Sequence, residues 1–273
     1  MARKLLFVAL LFACAVRVSA GSVEKVYTNL PQALASAPAV TSLSLKGQEL
    51  KQLPEDIARL VNLESLDLSY NEFTALPPQL FKLKKLKKLY LNNNALTTLP
   101  ADMSGLSSLV IIRLDANPFT SPAAELKKVA TIATLAELNF SANKINSFPA
   151  ELLQLSHLTD LDLGYGTIRE LPKDIDRLSH LKRLVLTKNL ITTFPPAFFK
   201  MASLNNLDLS YNNFTKLQDE FSQLSLDVLD ISFNKNLTAI PAIQGLRYIN
   251  IKSTHLDSEK LKTALGEGSM ILM

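Results

Sequence analysis

The sequence has one cysteine, no tryptophan and only 8 glycines among its 273 residues. One cysteine cannot build a disulfide framework or a cysteine zinc site. The motifs of several enzyme classes are also missing, namely a glycine-rich phosphate loop, a GxSxG nucleophile elbow and an HExxH metal helix. We therefore expect a chain that is not an enzyme and that needs no cofactor.

The chain also lacks a large excess of positive or negative charge. The formal net charge is +4, and residues 1–20 contain Arg3, Lys4 and Arg17 but no acidic residue, so the rest of the chain carries a formal charge of +1. Domains that bind nucleic acid usually present a strongly basic surface. The near-neutral balance therefore argues against a nucleic acid partner.

A short apolar run follows the first basic residues. It extends from Leu5 to Val16, which is 12 residues, whereas a helix needs about 20 residues to cross a bilayer. Small residues then occur at Val18-Ser19-Ala20, where a signal peptidase could cleave. This arrangement predicts a secretory signal peptide over residues 1–20, no transmembrane segment, and a mature chain that starts near Gly21.

Cys14 offers an alternative to that cleavage. The segment Leu11-Phe12-Ala13-Cys14 resembles a bacterial lipoprotein box, although a small residue is more usual than Phe12. Lipidation would make Cys14 the first residue and anchor the protein to a membrane. Either form of processing predicts a secreted, periplasmic or cell-surface protein, whereas an uncleaved leader would leave the chain in the cytoplasm.

Leucine accounts for 53 of the 273 residues and recurs with a fixed period. The segments LESLDLSYNEFTALPPQLFKL and LKKLYLNNNALTTLPADMSGL align without a gap at an offset of 23 residues. Ten such units begin at Val40, Leu63, Leu86, Leu109, Leu135, Leu158, Leu181, Leu204, Leu226 and Leu246. Positions one, four and six are apolar in all ten units, which indicates a stack of similar coils with a shared core.

Each unit combines a strand with a return arm. Positions four and six are apolar and the residues between and beside them are mostly polar, as in a short strand with one buried face. Proline then occupies position fifteen in six units, at Pro54, Pro77, Pro100, Pro149, Pro172 and Pro195. Proline disfavours a regular helix through that turn, so we expect extended or 3₁₀ arms.

The unit LxxLxLxxNxLxxLPxxLxxL resembles the leucine-rich repeat in its 23-residue, proline-containing class, over about residues 40–256. The resemblance implies an α/β right-handed solenoid, or horseshoe, of about ten repeats, with a parallel sheet on the concave face. On this interpretation residues 21–39 form an N-terminal cap, and residues 257–273 form a C-terminal capping helix and tail. Caps are needed because an open solenoid exposes its core and its strand edges.

Position nine is usually asparagine. The column consists of Asn71, Asn94, Asn117, Asn143, Asn189, Asn212 and Asn234. A buried amide can satisfy backbone groups of the turn in its own coil and in the next coil, so we interpret this ladder as structural. Gly166 interrupts the column, and we expect the turn there to leave backbone groups to water. Gln48 and Thr254 replace asparagine in the terminal units.

Local signals predict three helices. In the fourth unit, Ser121-Pro122 precedes apolar residues at helical spacing and predicts an α-helix on the convex side, capped by Ser121. A short helix is expected around residues 30–37. A third helix should begin at Asp257 or Ser258 and end before Gly266, and the tail Met270-Ile271-Leu272-Met273 should seal the last coil.

Side chains at positions three, five, seven and eight should face the concave side, where we expect a protein or peptide partner. Two groups there are not explained by the repeat motif and include tyrosine and arginine, which are common in binding hot spots. The first group is Lys88, Tyr90, Ile111, Arg113 and Asp115. The second is Tyr165, Arg183, Val185, Lys188 and Tyr211.

A metal site is the weaker interpretation of the histidines. His157 and His180 occur at the same position of neighbouring units, each in the segment LSHL. Polar residues fill this column in the other units, and no third ligand is evident. We therefore expect no bound metal.

The sequence thus favours an exported binding protein. Eukaryotic extracellular members of the family usually have cysteine-rich caps, so a leader without such caps points to a bacterial source. The alternative is an intracellular signalling scaffold, because the repeats also resemble those of Ras-pathway scaffolds.

Overall fold

A computed structural model describes residues 25–243, 245–265 and 269–273. The predicted leader, the lipidation alternative at Cys14 and the helix end predicted at Gly266 lie outside these ranges. Within them, no helix is both long enough and apolar enough to span a bilayer.

One parallel sheet of twelve strands runs through the described chain in sequence order. The strands are β1 (Val26–Tyr27), β2 (Ser42–Ser44), β3 (Ser65–Asp67), β4 (Lys88–Tyr90), β5 (Ile111–Arg113), β6 (Glu137–Asn139), β7 (Asp160–Asp162), β8 (Arg183–Val185), β9 (Asn206–Asp208), β10 (Val228–Asp230), β11 (Tyr248–Asn250) and β12 (Met270–Leu272). Strands β2 to β11 occupy positions three to five of the ten units. Position four of each unit is paired in register with position four of the next.

The apolar positions form one continuous core. Position-four and position-six side chains such as Leu66 and Leu68 are completely buried. Leucines of the return arm, such as Leu53 and Leu60, belong to the same cluster, which extends along the chain from Ala33 to Leu261. Burying one such side chain contributes about 1.5–3 kcal/mol. No coil could bury these residues alone, so the stack is the smallest stable unit.

The return arms are 3₁₀ turns in six coils, as the prolines predicted. These turns are Glu55–Arg59, Pro78–Lys82, Ala150–Gln154, Ile175–Arg177, Pro196–Lys200 and Asp219–Gln223. Pro54, Pro77, Pro149 and Pro195 directly precede four of them in extended conformation. Proline therefore marks the start of the return in these four coils, whereas Gln218 takes the same place before Asp219–Gln223.

Three α-helices are present in the described chain: α1 (Leu30–Ala35), α2 (Pro122–Val129) and α3 (Ser258–Leu265). Helix α2 confirms the prediction for the fourth unit, with Pro122 in its first turn. Ser121 occupies the N-cap position, but its side chain makes no capping hydrogen bond, so its predicted capping role is wrong.

Buried Glu125 gives α2 its anchor to the preceding coil. Its side chain is 3% exposed, accepts a hydrogen bond of 2.7 Å from the Leu99 amide and lies 3.0 Å from the Lys128 ammonium. The carboxylate thus satisfies a backbone amide of the preceding coil and is itself paired with a cation.

The asparagine ladder is present, but it points towards the preceding coil. Asn212 donates to the carbonyls of Leu209 in its own coil and Leu186 in the coil before, at 3.0 and 2.9 Å. Its Oδ1 accepts from the amide of Ile191, also in the coil before, at 3.1 Å. The other asparagines also donate to carbonyls of their own coil and of the coil before. Asn143 differs in its acceptor role, because its Oδ1 accepts from the amide of Asn117. The expectation of bonds to the next coil was therefore wrong in direction.

Neighbouring asparagine side chains satisfy the carbonyls at the Gly166 gap. Asn143 and Asn189 take the carbonyls of Phe140 and Leu163, the two that an asparagine at 166 would bind. The Gly166 amide donates to the Lys188 carbonyl at 3.1 Å. A Cβ at this position would lie 2.5 Å from the Ile145 carbonyl oxygen. The prediction that the carbonyls of this turn open to water is wrong, because the coils approach too closely there.

Both ends add a strand to the sheet. Strand β1 pairs with β2, and the Asn29 side chain caps the following helix α1. At the other end the Asp257 side chain accepts from the Glu259 amide in the first turn of α3. The tail then forms β12 beside β11. The sheet therefore has twelve strands rather than the ten expected from the repeats.

The ladder predicts a difference between two adjacent asparagines. Asn212→Ala should lower the free energy of unfolding by about 1–3 kcal/mol, because it leaves the Ile191 amide without its acceptor. It also removes one of the two asparagine donors to each of the Leu186 and Leu209 carbonyls. Asn213→Ala is the matched control, since Asn213 is exposed and should cost under about 0.5 kcal/mol. Urea denaturation followed by circular dichroism measures both, and equal losses would contradict the structural role.

Candidate binding surface

The open face of the sheet presents the side chains of positions three and five. No helix or 3₁₀ turn of the described chain lies over it, since every return arm is on the opposite side of the core. Lys88 and Arg113 are exposed on this face, and most of the other residues in these two columns are half-buried between neighbouring strands. Partner contacts here would involve side chains held at fixed spacing by the sheet.

The structure brings the first predicted group together on β4 and β5. Lys88 pairs with Ile111, and Tyr90 pairs with Arg113, in register. The guanidinium of Arg113 lies 5.7 Å from the centre of the Tyr90 ring, a cation–π contact. Asp115 follows β5, and burial raises the pKa of its carboxyl to about 6. Its Oδ1 atom is buried and has no hydrogen-bond partner among the described residues.

A cluster of charged residues lies in the centre of the face. A small cavity of about 40 Å³ there is lined by Ile111, Ile112, Arg113, Glu137, Leu138, Asn139, Asp160, Asp162 and Arg183. Arg113 and Arg183 thus flank three carboxylates. Burial is the main cause that raises the pKa of Glu137 and of Asp162. This mixture of charges suits a partner that presents both positively and negatively charged side chains.

The sequence prediction missed the three carboxylates Glu137, Asp160 and Asp162. Glu137 and Asp160 occupy position three and Asp162 occupies position five, two columns that were assigned to the concave face. The register of β5 to β8 is the signal that could have identified them, since it places all three between two predicted arginines.

The second predicted group is divided between two places. Arg183 joins the central cluster, and Val185 is only 4% exposed, so it offers little contact area. The ammonium group of Lys188 lies 5.1 Å from the centre of the Tyr165 ring. Both residues follow the ends of their strands. Tyr211 is at the same edge of the sheet and stacks on Phe233, at 4.1 Å between ring centres.

Two further aspartates continue the position-five column. Asp208 accepts hydrogen bonds from the amide and hydroxyl of Ser210, and Asp230 does the same with Ser232. Burial, followed by the charge of Asp230, raises the pKa of Asp208 to about 6. Burial also raises the pKa of Asp230. The face therefore holds carboxylates that ionise less readily than exposed ones.

The histidines lie away from this face. His157 and His180 are exposed, and Nδ1 of His180 is 2.9 Å from the carbonyl oxygen of Ser156. In the part of the chain that the structure describes, no three histidine, cysteine or acidic side chains are grouped as metal ligands would be.

Two stretches of the chain match the family model described as leucine rich repeat, residues 61–119 and 179–237. No curated protein matches the chain in sequence. Among solved structures, the ectodomain of the Arabidopsis receptor kinase HAESA with an IDA peptide hormone is 26% identical, with a TM-score of 0.65 over 90% of this chain and 44% of that chain. The chain therefore spans less than half of the HAESA ectodomain.

Two other solved structures are similar. The leucine-rich repeat domain of the type III effector XopL is 23% identical, with a TM-score of 0.64 over 77% of this chain and 76% of that chain. A Leptospira interrogans LRR protein is 23% identical, with a TM-score of 0.36 over 92% of this chain and all of that chain. The XopL likeness shows the fold alone.

The family match, the register of the strands and the likeness to the HAESA ectodomain confirm the resemblance seen in the sequence. Residues 61–119 and 179–237 are leucine-rich repeats, and the described chain has a horseshoe fold like that of the HAESA ectodomain.

The buried carboxylates predict a stability that falls as pH rises. Asp115 and Asp208 have pKa values of about 6 in the folded chain, above the ordinary value of 3.8. The folded state therefore binds protons more tightly, so stability should rise as pH falls from about 7.5 to about 5. Thermal unfolding measures this dependence.

Asp208→Asn separates the effect from other titrations. Asparagine can still accept from Ser210 but carries no charge beside Asp230, so the variant should melt at a higher temperature at pH of about 7.5. It should also show a weaker rise on acidification than the unmodified chain. A variant that melts at a lower temperature at that pH, with an unchanged pH dependence, would contradict the claim that the ionised Asp208 carboxyl destabilises the folded chain.

Proposed function

We propose that the chain is a non-catalytic module of an exported bacterial protein and that it recognises a protein or peptide on the concave face of its sheet. The observation that carries this proposal is the uncovered sheet with its central charge cluster. Twelve strands at about 4.8 Å spacing give a face about 50 Å long, which suits an extended chain or the edge of a protein. The HAESA ectodomain, which has a related fold, was solved in complex with a peptide hormone.

The shape of the surface supports binding rather than catalysis. The cavity at the central cluster has a volume of about 40 Å³, whereas sites for small molecules usually measure about 300–1,000 Å³. A space of this size admits one or two waters and does not shield a reacting group from solvent. Arg113 and Arg183 are better suited to pair with charged side chains of a partner.

The proposal that the protein is exported depends on residues 1–20. The basic residues Arg3 and Lys4, the short apolar run and the small residues before Gly21 support a cleaved signal. A chain retained in the cytoplasm would instead favour the scaffold alternative.

The concave face can be tested by peptide display. Peptides selected on the unmodified chain should lose roughly tenfold or more of their affinity for the variant Arg113→Gln/Arg183→Gln, because its central cluster has lost both cations. The control is Lys82→Glu/Lys200→Glu, which changes exposed lysines of two convex arms and should bind normally. Selected peptides that bind both variants equally well would refute the concave face as the site.

Intact mass spectrometry of the protein isolated from its source tests export. We expect a chain that begins at Gly21, or a lipid-modified chain that begins at Cys14. Each form predicts a distinct mass, so the measurement also decides between the two routes. A full-length chain that begins at Met1 would contradict export.

A further inference from the structure

Position eight of the repeat has a distinctive backbone. All ten units have a positive φ there, from Gly47 at 67° to Lys188 at 53°. A residue in this left-handed conformation costs about 1–2 kcal/mol unless it is glycine. The column nevertheless includes large side chains, and Tyr165 and Tyr211 are 53% and 49% exposed. The turn therefore holds bulky residues outward at one edge of the sheet.

Over coils six to nine, position eight carries only aromatic and basic residues, and in coil ten Lys252 precedes Ser253 at this position. We name this row the cation–aromatic strip and define it as Tyr165, Lys188, Tyr211 and Phe233 at position eight, with Lys252 at position seven of the tenth coil. Coils lie about 4.8 Å apart, so the strip is about 19 Å long. It contains two positive charges and no acidic residue.

The rings of the strip are packed against their neighbours. Tyr211 and Phe233 stack with 4.1 Å between centres and 10° between planes. The ammonium groups of Lys188 and Lys252 lie 5.1 and 5.8 Å from the rings of Tyr165 and Phe233. At least one face of each ring is therefore covered. Ring edges are the positive pole of the aromatic quadrupole, so ring edges, hydroxyls and ammonium groups together attract an anionic partner.

A row of opposite sign runs beside the strip. Asp162, Asp208 and Asp230 are at position five, three residues before position eight on their coils. Three residues of extended chain span at most about 10 Å, so each aspartate lies within that distance of position eight on its own coil. The same coils therefore carry two parallel rows, an exposed basic and aromatic row and a largely buried acidic row.

The two rows favour a peptide over a uniformly charged polymer. An extended peptide directs successive side chains to opposite sides, so acidic residues can face the strip while basic or neutral residues face the aspartates. A polyanionic saccharide would meet repulsion from the aspartate row. A cavity of about 300 Å³ beside the strip, lined in part by Lys235, Asn213 and Asn236, adds hydrogen-bonding groups for a peptide backbone.

We propose that the cation–aromatic strip binds an extended acidic polypeptide segment, with carboxylates placed at Lys188 and Lys252. This inference rests on the proposed function, because it specifies the chemistry of the partner and the part of the horseshoe edge that holds it. Tyr211 and Phe233 provide a rigid platform between the two lysines, and they cover apolar side chains of the bound segment.

The test measures fluorescence anisotropy of labelled peptides with the full chain. The probes are two extended peptides of equal length, one alternating Glu with Ser and one alternating Lys with Ser. The Glu–Ser peptide should bind, and binding should weaken as salt rises, because exposed charges are screened. Lys188→Glu/Lys252→Glu should weaken it roughly tenfold or more. Both lysines are exposed, so the variant should melt as the unmodified chain does.

The charge-matched control is Lys82→Glu/Lys200→Glu, which makes the same change in net charge on the convex arms. It should retain affinity within about twofold, since those lysines are far from the strip. Tyr211→Leu/Phe233→Leu should also weaken the Glu–Ser peptide while both lysines remain. If the strip reversal destabilises the fold, Lys188→Gln/Lys252→Gln replaces it.

Three outcomes would overturn the inference. They are equal weakening by the strip and convex variants, preference for the Lys–Ser peptide, and strip-dependent binding of polygalacturonate in place of the Glu–Ser peptide. Peptides from display that need Arg113 and Arg183 but tolerate the strip variants would also overturn it and leave the proposed function standing. Peptides that need neither set of residues would overturn the proposed function itself.

Discussion

Interactions between neighbouring coils hold this structure together. Each inward leucine packs on its counterparts in the coils before and after it, and each asparagine of the ladder satisfies backbone groups of the preceding coil. The Asn212 amide, for example, joins Leu186 and Ile191 to its own turn. A single coil has neither a core nor a complete set of hydrogen bonds, so the stack folds as a whole or not at all. Even Gly166, which lacks the amide, is held by backbone contact with the coils on either side.

This constraint fixes the surface that can recognise a partner. The core and the ladder use positions one, four, six and nine, and they leave positions three, five and eight free to vary. The free positions carry the two arginines with their carboxylates at the centre, and the tyrosines and lysines at the edge. Their spacing is imposed by the sheet, so a partner meets a preorganised pattern of charge and loses little affinity to ordering the protein. The carboxylates, whose pKa values burial has raised, offer positions where a cation of the partner would be favoured.

Much of this could be predicted from the sequence, because the period is strong and its physics is local. The period placed strands at positions three to five, proline placed the 3₁₀ arms, and Ser121-Pro122 identified the one helical arm of the repeats. The strands β1 and β12 were missed as strands because the cap sequences do not repeat. The direction of the ladder and the close approach at Gly166 depend on how adjacent coils are stacked, which no single unit reveals. Glu137, Asp160 and Asp162 become a cluster with Arg113 and Arg183 only when the register is known. The stacking of Phe233 on Tyr211 likewise forms across coils.

Deletion of one complete coil tests the shared core most directly. Removal of residues 158–180 joins His157 to Leu181, keeps the frame of the repeat and takes out the coil that contains Gly166. The remaining coils should then stack with Asn143 beside Asn189 in an uninterrupted ladder. Thermal unfolding of this variant, followed by circular dichroism, should show a native spectrum and one cooperative transition. A chain that no longer folds, or that melts in two separate steps, would contradict a single continuous interior built from interchangeable coils.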